Sequence, residues 1–135
     1  MMQNDQTNRW KKMAGTVLVL YWLALFVATH VPLPLESRPA GDSDKPLHFA
    51  AYAGLTFLVS LNRSLRRALD LRQRIWIFVL LAAFGVIDEI SQIPVGRDCE
   101  LADWIADVLG ILAGSLLFRA TIAVFRRPGL SPRET

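Results

Sequence analysis

Four apolar stretches alternate along the chain with short polar connections. They cover residues 13–31 (MAGTVLVLYWLALFVATHV), 46–62 (PLHFAAYAGLTFLVSLN), 75–93 and 101–125. A helix needs roughly 20 apolar residues to cross a hydrocarbon core about 30 Å thick, and about 17–25 are tolerated. All four come near that length, the second and third only by including polar residues at one end. Within 75–86 and 112–117 there is almost none of the 3.6-period polar striping of a water-soluble helix. The pattern therefore predicts an all-α membrane protein, with four transmembrane helices in a compact bundle. A signal peptide is the alternative for the first stretch. Its basic start fits, but the apolar run is long and no A-x-A cleavage pattern follows.

The connections carry breakers. Pro32 and Pro34 stop the first helix, and residues 39–46 read as a polar loop. Residues 62–74 form a basic connection, part of it helical, and residues 94–100 a short turn. This divides the chain into a basic N-terminal segment (1–12), a four-helix domain (13–125) and a tail (126–135) that includes Arg126-Arg127-Pro128-Gly129.

Composition sharpens the picture little: 53% of the 135 residues are hydrophobic and the formal charge is only +3, which gives no case for nucleic acid as a partner. The single cysteine, Cys99, excludes an internal disulfide. The distribution of basic residues says more. Arg9, Lys11 and Lys12 precede the first span, Arg63, Arg66, Arg67, Arg72 and Arg74 lie between the second and third, and Arg126, Arg127 and Arg133 follow the fourth. Only Arg38, Lys45 and Arg97 fall on the opposite side, and Arg119 snorkels near the inner interface. Lys and Arg favour cytoplasmic loops. Both termini and the second connection are therefore expected in the cytoplasm, with the protein multi-pass in the membrane.

Acids then enter where a membrane disfavours them. Residues 75–87 would span only about 20 Å as a helix, so the third helix must continue through Asp88 and Glu89. Asp88 and Gln92 are four apart, as are Asp44 and His48, and Lys45, His48 and Tyr52 can share a face. Asp44 can cap the second helix ahead of Pro46. Asp103, Asp107, Gly110 and Gly114 form one stripe on the fourth helix, where the glycines allow close helix packing. Three helices thus bring polar groups to one depth near the outer face, while the inner halves carry no matching polar line. Asp88, Glu89, Asp103 and Asp107 against Lys45 and Arg97 leave two negative charges. A protonated His48, neutral acids, entering water or a divalent cation could balance them.

These motifs together resemble the VanZ-like family of small bacterial membrane proteins. The likeness rests on Asp44-Lys45-x-x-His48-Phe49-x-x-Tyr52, Asp88-Glu89-x-x-Gln92, Gly96-Arg97 and Asp103-x-x-x-Asp107-x-x-Gly110-x-x-x-Gly114. Asp107 departs from it, since many relatives carry asparagine there. The family takes its name from a protein associated with resistance to the glycopeptide teicoplanin, so the resemblance implies a cell-envelope role and a link to antibiotic resistance, but no defined reaction.

Several functions fit the residues. Lys45, Gln92 and Arg97 are candidates to bind an anionic lipid or lipid-linked cell-wall precursor. His48, Asp88, Glu89, Asp103 and Asp107 are candidates for general-base or metal-assisted hydrolase or transferase chemistry. Ser91 and Cys99 have no evident activating partner as nucleophiles. A purely structural polar network in a scaffold or interaction protein, and a proton or ion relay, mostly through a homo-oligomer, stay open.

Overall fold

The computed structural model describes residues 2–30, 44–95 and 99–125, and over them the chain is all-helical. Helix α1 is Met2–His30, α2 is Lys45–Ser64, α3 is Leu71–Gln92 and α4 is Leu101–Phe125. A 3₁₀ turn, Ile93–Val95, extends α3. The first helix begins at Met2 and so runs through the basic segment instead of starting after it. Arg38, Arg97, Arg126, Arg127 and Arg133 lie outside the described residues, so the positions expected of them have no structural counterpart here.

Local chemistry explains the ends. Asp70, in extended conformation, caps α3 by accepting a 2.7 Å hydrogen bond from the Gln73 backbone N–H, which satisfies one of the donors left free in a first turn. Asp44 does not cap α2 as the sequence pattern predicts. Its backbone is already helical, and its side chain makes no capping bond. Its carbonyl, instead, accepts from the backbone N–H groups of Leu47 and His48. The carboxylate is thereby left to group with His48 and Asp103.

Helices α2 and α4 make the most intimate pair, and glycine is the reason. A Cβ at Gly110 would collide with the Phe49 carbonyl oxygen, and one at Gly114 with the Ala53 carbonyl. With hydrogen there, the two backbones meet directly, and dispersion accumulates over the length of the seam. Helix α3 is tied to α4 by the Trp104 indole N–H, which donates to the Ala82 carbonyl at 3.0 Å. Helix α1 docks through Tyr21, whose hydroxyl donates to the Ala51 carbonyl at 3.0 Å and whose ring lies over Gly54.

Three helices are long and apolar enough to cross a membrane: α1 (over Asp5–His30), α3 and α4. Their outward faces carry large exposed apolar side chains, among them Leu20, Leu80, Ile87, Leu116 and Leu117. The interior is the opposite. Among the described residues, five buried ones are hydrophobic, while eight are polar or charged: His48, Thr56, Ser60, Asp88, Glu89, Gln92, Asp103 and Asp107. Apolar outside and polar inside is the arrangement that lipid favours and water opposes. Helix α2 falls short of a span by composition because it faces three neighbours, and its buried face is where the polar residues are.

Candidate functional site

The buried polar groups gather around His48. Its Nδ1 lies 3.0 Å from Oδ1 of Asp107 and 3.7 Å from Oε1 of Glu89. The first distance is a hydrogen bond donated by the imidazole; the second is beyond hydrogen-bond reach. The remaining Glu89 oxygen, Oε2, accepts from the backbone N–H of Glu100 at 3.2 Å. Glu89 Oε1 and Asp107 Oδ2 are buried and have no hydrogen-bond partner. Gly85 makes room for this cluster, since a Cβ there would lie only 3.1 Å from Asp107 Oδ2.

One turn nearer the end of the bundle, Lys45 reaches Glu100 at 3.4 Å and Asp103 at 3.7 Å. Lys45 therefore ties the start of α2 to α4 and to the segment before it. Two overlapping groups have metal-ligand spacing, His48 with Glu89 and Asp107, and His48 with Asp44 and Asp103. In each, the ligand atoms lie within 4.8 Å of one another.

Asp88, adjacent to Glu89, points elsewhere. Its Oδ2 accepts from Gln92 Nε2 at 3.1 Å, and its Oδ1 is 3.5 Å from the Thr29 hydroxyl of α1. Beside it lies a contact that sequence reasoning missed. The His30 Nε2 is 2.8 Å from the Ser91 hydroxyl, and its Nδ1 donates to the Phe26 carbonyl at 2.9 Å. A carbonyl can only accept, so Nδ1 carries a hydrogen. Ser91 has a structural partner after all, although its hydroxyl also donates to the Asp88 carbonyl at 2.7 Å.

Helix α2 carries further polar groups beyond this cluster. Below His48 on α2, Tyr52, Thr56 and Ser60 follow at intervals of four and are all buried. The hydroxyls of Tyr52 and Thr56 have no hydrogen-bond partner. Hydroxyl residues pass unnoticed in an apolar run, and only their four-residue spacing could have revealed this file.

A cavity of about 360 Å³ opens between α1 and α2 beside these groups. Leu25, Phe26, Leu47 and Phe84 give it apolar walls, and Thr29, Asp44, His48 and Asp88 give it a polar end. Protein-family models, curated proteins and solved structures yield no match to this chain. The chemistry of the site therefore has to be argued from its residues. Of the sequence candidates, His48, Glu89, Asp103 and Asp107 come together around one imidazole, Asp88 and Gln92 pair with each other next to them, and Gly110 and Gly114 lie in the seam that holds α4 against α2.

Proposed function

We propose that this chain is a VanZ-like, multi-pass protein of the bacterial inner membrane that holds a lipid or lipid-linked cell-wall intermediate. Helix α2 is the fourth span in this reading. Its 20 residues measure about 30 Å at 1.5 Å per residue, and its polar face is turned inward. The asymmetry of Lys and Arg supports cytoplasmic termini, with the His48 cluster near the outer surface. Cys99 is exposed and, in this topology, lies outside. A membrane-impermeant maleimide added to intact cells should label it, and labelling only after the cytoplasmic side is opened would reverse the orientation.

The observation that carries the ligand reading is the cavity between α1 and α2. One continuous space joins apolar walls to a polar end, which is the form a ligand pocket takes when an apolar body must be buried and a polar head oriented. An acyl or prenyl chain fits the walls, and the head then meets Thr29, His48 and Asp88. An anionic head would draw on Lys45 and His48 for positive charge. The link to glycopeptide resistance rests on the family resemblance alone.

Native mass spectrometry of the purified full chain tests this reading. The expected spectrum carries one bound lipid per chain, and its mass separates an ordinary phospholipid from a lipid-linked cell-wall precursor. Ala28, exposed on α1 and lining the cavity, is the site to fill. Ala28→Trp should fold and lose the adduct. A wild-type chain without bound lipid, or an unchanged adduct in Ala28→Trp, would show that the cavity is not a lipid site.

A further inference from the structure

We propose that His48, Glu89 and Asp107 form an intramembrane site for a divalent first-row transition-metal ion, of the Mn²⁺ or Zn²⁺ class. Proximity of acids is not the argument, because carboxylates gather for many reasons. Two further observations carry the inference. The first is the buried oxygen atoms. Glu89 is 3% exposed and Asp107 is fully buried, yet Glu89 Oε1 and Asp107 Oδ2 have no hydrogen-bond partner. Glu89 Oε1 is directed at the His48 ring, 3.7 Å from Nδ1. Buried oxygens of this kind are costly unless something satisfies them.

The second observation is the donor geometry. Donors about 2.1 Å from one ion lie about 3.0 Å apart at a right angle and about 3.4 Å apart at the tetrahedral angle. The two donor separations from His48 Nδ1 are 3.0 Å to Asp107 Oδ1 and 3.7 Å to Glu89 Oε1. The three groups come from three different helices, α2, α3 and α4, so the site also joins them. One imidazole with two carboxylates mixes the donor preferred by zinc with those preferred by manganese. Two carboxylates and one divalent ion also sum to zero charge, the state a low-dielectric interior favours.

The overlapping group of His48, Asp44 and Asp103 is the weaker site. Asp44 is half-buried, and Asp103 faces the Lys45 ammonium at 3.7 Å. Binding at the stronger site needs the Nδ1 lone pair, so the ring would carry its hydrogen on Nε2, and any proton displaced from the His48–Asp107 pair would be released to solvent. Three protein ligands leave coordination positions open to water or an oxygen of a ligand. Within the lipid-binding reading proposed above, an oxygen of the head would occupy one of these open positions, but the ion site does not depend on that reading.

The test uses the full chain in detergent or nanodiscs, stripped with EDTA and then titrated with MnCl₂ or ZnCl₂. One ion should bind per chain, and bound Mn²⁺ should show nitrogen coupling in its electron spin-echo spectrum, because one donor is an imidazole. Glu89→Gln and Asp107→Asn should each weaken binding at least about tenfold, as loss of a direct ligand costs no less than loss of a supporting one. Glu100→Gln, altered only at a side chain 47% exposed, should bind as wild type does. Where a variant fails to fold, the wild-type chain decides: removal of metal should lower its melting temperature and Mn²⁺ or Zn²⁺ should restore it. No stoichiometric ion, no nitrogen coupling, no effect of metal on melting, or equal binding by folded Glu89→Gln and Asp107→Asn would each overturn the site. Lipid retention is read separately by mass, so loss of one proposal leaves the other standing.

Discussion

Gly110→Val should abolish the folded protein or leave a small fraction of it. Even a methyl at this position meets the Phe49 carbonyl and comes within 3.1 Å of the Ala53 backbone nitrogen. Overpacking typically costs about 1–3 kcal/mol, and the upper end or beyond applies when the obstruction is backbone, because no rotamer change relieves it. The helices must separate along the whole seam. Size-exclusion profiles and thermal melts in detergent measure the effect. Truncation of Phe49 to alanine should not rescue the variant, since the colliding atom is its carbonyl and not its ring. Gly15→Ala is the contrast: its Cβ meets the ends of two flexible side chains, Asn62 at 3.4 Å and Arg66 at 3.8 Å, and stability should stay within about 0.5 kcal/mol. A Gly110→Val protein that melts with the wild type would mean that α2 and α4 do not meet along this seam.

The second large effect concerns His48 and Asp107. Removal of one partner from a buried charged pair costs about 3–5 kcal/mol, because the other is stranded. Asp107→Ala and His48→Ala should each approach that range. The double variant should lose clearly less than the sum, since neither group is left behind. An unfolding series in mixed micelles gives the four stabilities of the cycle. Coupling should exceed about 1 kcal/mol, within the range found for groups in contact. Simple additivity would show that the 3.0 Å contact contributes nothing. Glu100→Ala should change little, for its Lys45 partner meets it at the exposed rim.

Much of this molecule is legible in hydropathy and spacing. Helix α4 occupies residues 101–125, the stretch delimited by its apolar run, and its four-residue stripe of acids and glycines lies along the buried face. Asp88 and Glu89 lie within α3, as the length of a bilayer requires of a helix that starts near Arg72. Other features need three dimensions. His30 and Ser91 are 61 positions apart, and at the end of an apolar run a histidine reads as a boundary. Asp88 and Glu89 are neighbours in the chain but turn to different partners, Thr29 and Gln92 for one and His48 and the Glu100 N–H for the other. Successive residues on a helix point about 100° apart, so adjacency in sequence is a poor guide to shared chemistry. The unpartnered oxygens of Glu89 and Asp107 are invisible to any pattern, because they are defined by what surrounds them.

The file of His48, Tyr52, Thr56 and Ser60 on α2 bears on how the protein is made. In the four-span reading, α2 emerges from the ribosome with an ionisable ring and three hydroxyls on one side, and with the helix that covers them not yet synthesised. Its natural partner in the glycine seam is α4, the last of the described helices, and α3 is made between them. On its own α2 would enter lipid reluctantly. It should therefore linger at the insertion machinery, or be held by α1 through Tyr21, until α4 arrives. A ribosome stalled before residue 101 would leave α2 reachable by water-soluble reagents, and release of the finished chain would close it off.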